Sequence, residues 1–265
     1  MDSETNGLRR LVAKGIETIG IGAGTYLGSG GDPVGTAVAM SGSLFGAVGN
    51  EIAARVLSPR QEARVGALIF YAGSVISAKK VLGESIREDD FFEGEHSYGY
   101  EFAEGVTLAA MQTFEERKLP FLGNLLANVA FIPTIDSATA NFALQTAEGL
   151  SWLELCLIAI VDQPEKYPLP KSEPQKAADW KTHTVRSRLI RMADIGGELL
   201  TYGRTKTARV GLPLIDTNLS SIHLTGTGKL VAGLMELSTI PAAELCSIYD
   251  LVLLEREDGP EESTG

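Results

Sequence analysis

The sequence predicts a mainly α-helical protein, a helical bundle with a glycine-rich helical hairpin before it and a small β-hairpin near its carboxyl end. Two observations predict this fold class. Apolar residues recur at helical spacing in successive segments, as in Val65, Leu68, Ala72 and Ile76. Aromatic residues make up only 7% of the 265 residues, which indicates a core built largely from Ala, Leu and Gly.

The amino-terminal part is a polar lead-in, residues 1–14, followed by a glycine-rich segment, residues 15–57. The segment SGGDP at 29–33 breaks this stretch into two predicted helices, 16–28 and 33–57. Glycines recur at four-residue spacing in both helices, which leaves a smooth groove where another backbone can approach closely. These glycines are Gly20, Gly24 and Gly28 in the first helix and Gly42 and Gly46 in the second.

The glycine-rich hairpin has three alternative interpretations. The glycines allow close packing inside a soluble core, they belong to a membrane element, or they form a self-association seam. Uncharged residues run for 18 positions, from Pro33 to Asn50. A transmembrane helix needs about 20 predominantly apolar residues, and this stretch is diluted by polar residues and glycine.

The helical bundle is predicted over residues 58–162. Ser58, Pro59 and Gln61 form a good helix start, because Ser caps, Pro fits the first turn and Gln reaches back. An acidic loop is expected at 84–98, and Phe102, Val106, Ala110 and Phe114 are expected to share one apolar stripe. Helices are predicted at 59–83, 100–117, 121–131, 137–149 and 151–161. The last is apolar almost all round, so we expect it to be deeply buried.

The carboxyl-terminal part begins after a Pro-rich linker, residues 163–180, and ends in an acidic tail, 255–265, expected to be disordered. A helix is predicted from Arg186 to about Tyr202, then a β-hairpin within 208–224 around Asp216–Asn218. A helix after Thr225–Gly228 and a final helix, 241–254, complete the module. Helices beside a two-stranded hairpin are typical of a winged-helix-like module, here residues 181–254.

A basic patch accompanies this module, although the whole chain has a net charge of −11. If Arg186, Arg188 and Arg191 line one exposed face, the module could meet phosphates. The acidic balance of the chain disfavours nucleic acid, so packing or protein contacts are the preferred role. The patch consists of Lys181, Arg186, Arg188, Arg191, Arg204, Lys206 and Arg209.

Two asparagines, Asn124 and Asn128, lie one turn apart in the apolar run FLGNLLANVAF. Buried amides must be hydrogen-bonded, so this pair either fixes the register of the bundle or contacts a ligand or partner. The first interpretation is preferred.

No catalytic, cofactor-binding or metal-binding constellation is found in the sequence. A phosphate-binding Walker loop fails at both ends, since His223 stands where its first Gly belongs and Leu230 follows Lys229. Glu93 and His96 form the one Glu-x-x-His pair, which is too few for a di-iron bundle. Cys156 and Cys246 lie in apolar helical runs and are expected to be small buried hydrophobes.

The segment 114–161 is similar to poorly characterised bacterial helical proteins with an xLPxLxxLxANxxF-type block. More distantly it resembles the abortive-infection alpha (Abi-alpha) family, through Asn124–Ala127 and the late Leu224–Gly228 turn. The resemblance covers about residues 100–240 and departs at Gly123, where the family often has Trp. It implies a role in phage defence or growth arrest and transfers no catalytic residues.

These observations predict a non-enzymatic bacterial interaction or effector protein that contacts a membrane or a second copy of itself through the hairpin. The amino terminus lacks a convincing secretory signal, so we expect a cytoplasmic protein with peripheral membrane contact. A DNA-binding regulator that uses the basic module is the first alternative, and an unrecognised enzyme is the second. No cofactor is expected.

Overall fold

A computed structural model describes residues 10–11, 13–14, 57–92, 97–171, 180–194, 198–202 and 219–253. Within these ranges the protein is mainly helical and has one small two-stranded antiparallel sheet, which confirms the coarse prediction. The predicted glycine-rich hairpin, apart from Leu57, and the predicted acidic tail lie outside the described residues. The helices are α1 Pro59–Val81, α2 Tyr98–Gln112, α3 Leu119–Val129, α4 Ser137–Gly149, α5 Trp152–Val161, α6 Trp180–Asp194, α7 Gly226–Leu234 and α8 Ala242–Leu253; the strands are β1 Leu200–Tyr202 and β2 Ile222–Leu224.

The chain divides into two compact units. The first unit comprises Met1–Gly149 together with Leu234–Glu236, and the second comprises Leu150–Gly233 together with Leu237–Gly265. The division therefore falls before α5 rather than in the Pro-rich segment 163–180. The reason is the all-round apolar character of α5, whose residues from Glu154 to Val161 are buried and which packs against α6, α8 and β2 of the second unit.

Capping side chains set where several helices begin. Ser58 and Gln61 form the predicted capping box at α1, with the Gln61 N–H donating to Ser58 Oγ at 3.3 Å. Ser151 and Glu154 form the same arrangement at α5. At α4, Asp136 accepts a hydrogen bond from the Thr139 N–H at 2.8 Å, and the bonds from Thr139 hold the pKa of Asp136 below its usual value.

The core of the first unit lies mainly between α1 and α3, and α2 packs against both. The predicted stripe of α1 is buried, including Val65, Leu68 and Ile76. The two helices approach closely at Gly123, where an added Cβ would lie 2.8 Å from Tyr71 Cβ and 3.0 Å from the Ala72 nitrogen. The two helices can pack this closely because residue 123 has no side chain.

The second helix is shorter than the predicted 100–117. It ends at Gln112, with Thr113 in an extended conformation as its C-cap, and a short 3-10 helix follows at Glu116–Lys118. Phe102, Val106 and Ala110 are buried as expected, but Phe114 is 85% exposed. The expectation that Phe114 belongs to the buried stripe is wrong, because the helix ends before that position.

The two-stranded sheet of the second unit includes residues before the predicted hairpin, whose residues 208–218 lie outside the described residues. The helix predicted to run from Arg186 to about Tyr202 is α6, which begins earlier and ends at Asp194. Leu200–Tyr202 instead form β1, which pairs antiparallel with Ile222–Leu224, with Thr201 opposite His223. The apolar residues at 199–202 fit a helix or a strand equally well. Pairing with β2 and packing of β1 against α6 favour the strand.

The second unit contains the described part of the Pro-rich segment and both cysteines. The described part of the Pro-rich segment packs within this unit, since the Tyr249 hydroxyl donates to the Pro168 carbonyl and the Ser220 N–H donates to the Pro170 carbonyl. Cys156 is buried as expected, but Cys246 is exposed. The helix α8 turns Leu245 and Val252 inward, and this leaves Cys246 on its outward face.

Candidate interaction surfaces

The asparagine pair of α3 is directed at a turn formed much later in the chain. Both residues are buried, and Nδ2 of Asn124 donates to the Met235 carbonyl at 3.1 Å. Nδ2 of Asn128 donates to the Leu234 carbonyl and to Glu236 Oε1, both at 2.9 Å. Glu236 has a φ of +53°, a strained conformation for a residue other than glycine. These are bonds within the first unit, the arrangement expected if the pair fixes the fold.

Replacement of Asn128 by Ala is expected to destabilise the first unit by about 1–3 kcal/mol, because the buried Leu234 carbonyl loses its donor. The exposed Asn141 of α4 provides a matched control, and Asn141→Ala should change the free energy of unfolding by less than about 0.5 kcal/mol. Urea unfolding followed by circular dichroism measures both. Equal effects of the two substitutions would show that the amide of Asn128 does not stabilise the turn.

The structure separates the residues of the predicted basic patch. Arg186 is only 4% exposed, and its Nε donates to the Val252 carbonyl at 2.9 Å. Arg188 forms an ion pair with Glu154, with Nε 3.2 Å from Oε1. Lys181 and Arg191 are exposed, whereas Arg204, Lys206 and Arg209 lie outside the described residues. Arg186, Arg188 and Arg191 therefore do not form one exposed phosphate-binding face, because Arg186 serves as an internal donor to α8.

Sequence reasoning missed Arg87, which lies in the predicted acidic loop. Its side chain is 3% exposed and donates to the carbonyls of Val129, Ile132, Pro133 and Ile135, the connection between α3 and α4. The only signal in the sequence is a single Arg among acidic residues.

The same guanidinium binds Asp89 through two hydrogen bonds, at 2.7 and 2.5 Å, and lies 4.1 Å from the ring centroid of Phe91. The bonds from Arg87 hold the pKa of Asp89 below its usual value. Arg87 therefore anchors the loop 84–92 to the α3–α4 connection.

A second charged cluster joins α1 to the segment after α2. Glu116 accepts from Arg60 Nε at 2.7 Å and from Arg64 Nε at 3.3 Å, and Arg64 also donates to the Met111 carbonyl. The hydrogen bond from Arg60, followed by that from Arg64, holds the pKa of Glu116 below its usual value. This cluster fixes the position of the 3-10 turn next to the exposed Phe114.

Acid is expected to weaken the first unit through Glu116. Because its folded pKa is lowered, the stabilisation is present above the unfolded pKa of about 4.3 and is lost as the pH falls through the folded value. Glu116→Gln should cost less than about 1 kcal/mol at pH 7, since the pair is partly exposed, and should reduce the loss of stability between pH 5 and pH 3. Urea unfolding midpoints at several pH values measure this. An unchanged pH dependence would contradict it.

Among the residues that the structure describes, the most exposed large apolar side chains that adjoin each other are Val81 and Leu82, at 84% and 78%. They lie at the carboxyl end of α1. There Gly83 adopts a φ of +83°, and the Glu84 N–H donates a hydrogen bond to the Lys79 carbonyl. We refer to Val81 and Leu82 as the apolar tip. Lys79 beside it is paired with Glu84, with Nζ 3.1 Å from Oε2. Large contiguous exposed apolar patches mark interaction sites, and these two side chains form a small patch of that kind.

In the part of the chain that the structure describes, no group of three or more His, Cys, Asp or Glu could hold a metal ion. No single helix of these ranges is both long and apolar enough to cross a membrane, although α4 and α5 would pass such a test if taken together across their break. The Glu93–His96 pair lies outside these ranges. Comparison with protein-family models, curated proteins and solved structures finds no match to this chain.

Proposed function

We propose that this chain is a non-enzymatic bacterial interaction or effector protein that engages a membrane, or a second copy of itself, through the first unit. The glycine-rich segment 15–57 is the proposed contact element, and the apolar tip is a second contact point. The resemblance of Asn124–Ala127 and Leu224–Gly228 to the abortive-infection alpha family supports a role in phage defence or growth arrest. In this proposal the described helices of the first unit are the scaffold that presents both elements.

The observation that carries this proposal is the exposure of the apolar tip. Burial of one Val or Leu side chain contributes about 1.5–3 kcal/mol, and here two adjacent side chains are left almost fully in water. A partner surface that covered both would gain this energy without any rearrangement of α1. The tip is also joined to the glycine-rich segment by a single helix, because α1 begins at Pro59, two residues after that segment ends.

The geometry of α1 makes the two contact elements separable. A helix of 23 residues is about 34 Å long at 1.5 Å per residue, so the tip and the end of the glycine-rich segment lie at opposite ends of α1. Substitutions in the tip are therefore remote from Leu57, the last residue of the glycine-rich segment. This separation allows each element to be tested by its own variants.

For the second unit we propose a winged-helix-like module that makes protein contacts rather than nucleic-acid contacts. Its order of elements, with α6 before the two-stranded sheet and α7 and α8 after it, supports this proposal. The burial of Arg186 and the ion pair of Arg188 with Glu154 support protein contacts, because Arg186 is inaccessible to a phosphate and Arg188 already has a carboxylate partner.

A DNA gel-shift measurement distinguishes the protein-contact proposal from the nucleic-acid alternative. If the module contacts protein, the full chain should not shift a DNA fragment in a gel at about 50 mM salt, a condition that favours phosphate contacts. Arg191→Ala, a change at an exposed basic residue, should then have no effect on migration either. A shift by the wild type that weakens with added salt and with Arg191→Ala would favour the DNA-binding regulator.

The proposal is tested on the full wild-type chain by sedimentation velocity over a range of concentrations and by flotation with phosphatidylglycerol-containing liposomes. We expect the protein to float with the liposomes, or to sediment as a dimer or larger species. Regulated expression in a bacterial host should slow growth if the effector role holds. A monomer at every concentration that also remains at the bottom of the gradient would overturn the proposal.

A further inference from the structure

We draw no further inference here: the strongest candidate, the exposed stripe of Ala242, Cys246 and Leu253 on the outward face of α8, carries nothing because no described residue shows what covers it.

Discussion

Replacement of Arg87 by Ala is expected to destabilise the first unit by about 3 kcal/mol. The substitution leaves the carbonyls of the α3–α4 connection without their charged donor, and hydrogen bonds to charged groups contribute about 1.5–3 kcal/mol each. It also removes the contact with the Phe91 ring. Urea unfolding measured by circular dichroism gives the change in free energy. Hydrogen exchange of the peptides that cover α3 and α4 should show where protection is lost.

Two control variants identify the source of this effect. Asp89→Ala removes only the partly exposed partner of Arg87 and should destabilise the first unit less than Arg87→Ala does. Arg191→Ala removes an exposed arginine of α6 and should leave stability within about 0.5 kcal/mol of the wild type. If Arg87→Ala cost no more than Asp89→Ala, the carbonyl bonds would contribute nothing and the anchor would be only a surface ion pair.

Replacement of Gly123 by Ala is expected to destabilise the first unit by about 1–3 kcal/mol or more. The new methyl group would lie 2.8 Å from Tyr71 Cβ and 3.0 Å from the Ala72 nitrogen, so α1 and α3 must move apart. Neither neighbouring atom is at the end of a flexible side chain that could turn away.

The matched control for this variant is Gly149→Ala at the end of α4. Nothing lies within 4 Å of an added Cβ at Gly149, so the substitution should be neutral or stabilise by up to about 1 kcal/mol. Thermal unfolding of the two variants should therefore shift in different directions or by clearly different amounts. Equal shifts would mean that the close approach of α1 and α3 does not limit the size of residue 123.

Helix starts with local signals could be predicted from the sequence. The capping box of Ser58 and Gln61 depends on neighbouring residues, and α1 begins where it predicts. The helix α4 likewise begins at the predicted residue, Ser137. The burial of α5 also follows from its own residues, since all sides of that helix are apolar. Such features need no knowledge of distant parts of the chain.

Features that depend on distant partners could not be predicted in the same way. Arg87 is an anchor because carbonyls more than 40 positions away turn toward it, and no local pattern reveals this. The exposure of Phe114 depends on where α2 ends, which Thr113 decides by its extended backbone. Leu200–Tyr202 form a strand because Ile222–Leu224 pair with them. The exposure of the apolar tip is likewise not predictable, because Val and Leu at a helix end are usually buried and nothing local marks Val81 and Leu82 as exposed.

The measurement that tests the proposed function most directly is liposome flotation of a set of full-length variants. Gly24→Leu and Gly46→Leu alter the glycine-rich segment, and Val81→Ser with Leu82→Ser alters the apolar tip. Ala78→Ser, at an exposed position one turn before the tip, is the control and should float like the wild type. We expect the wild type to float, or to sediment as a dimer or larger species, and at least one altered element to abolish that behaviour. Flotation unchanged in every variant, or absent in the wild type while the chain remains a monomer, would contradict the proposed contact.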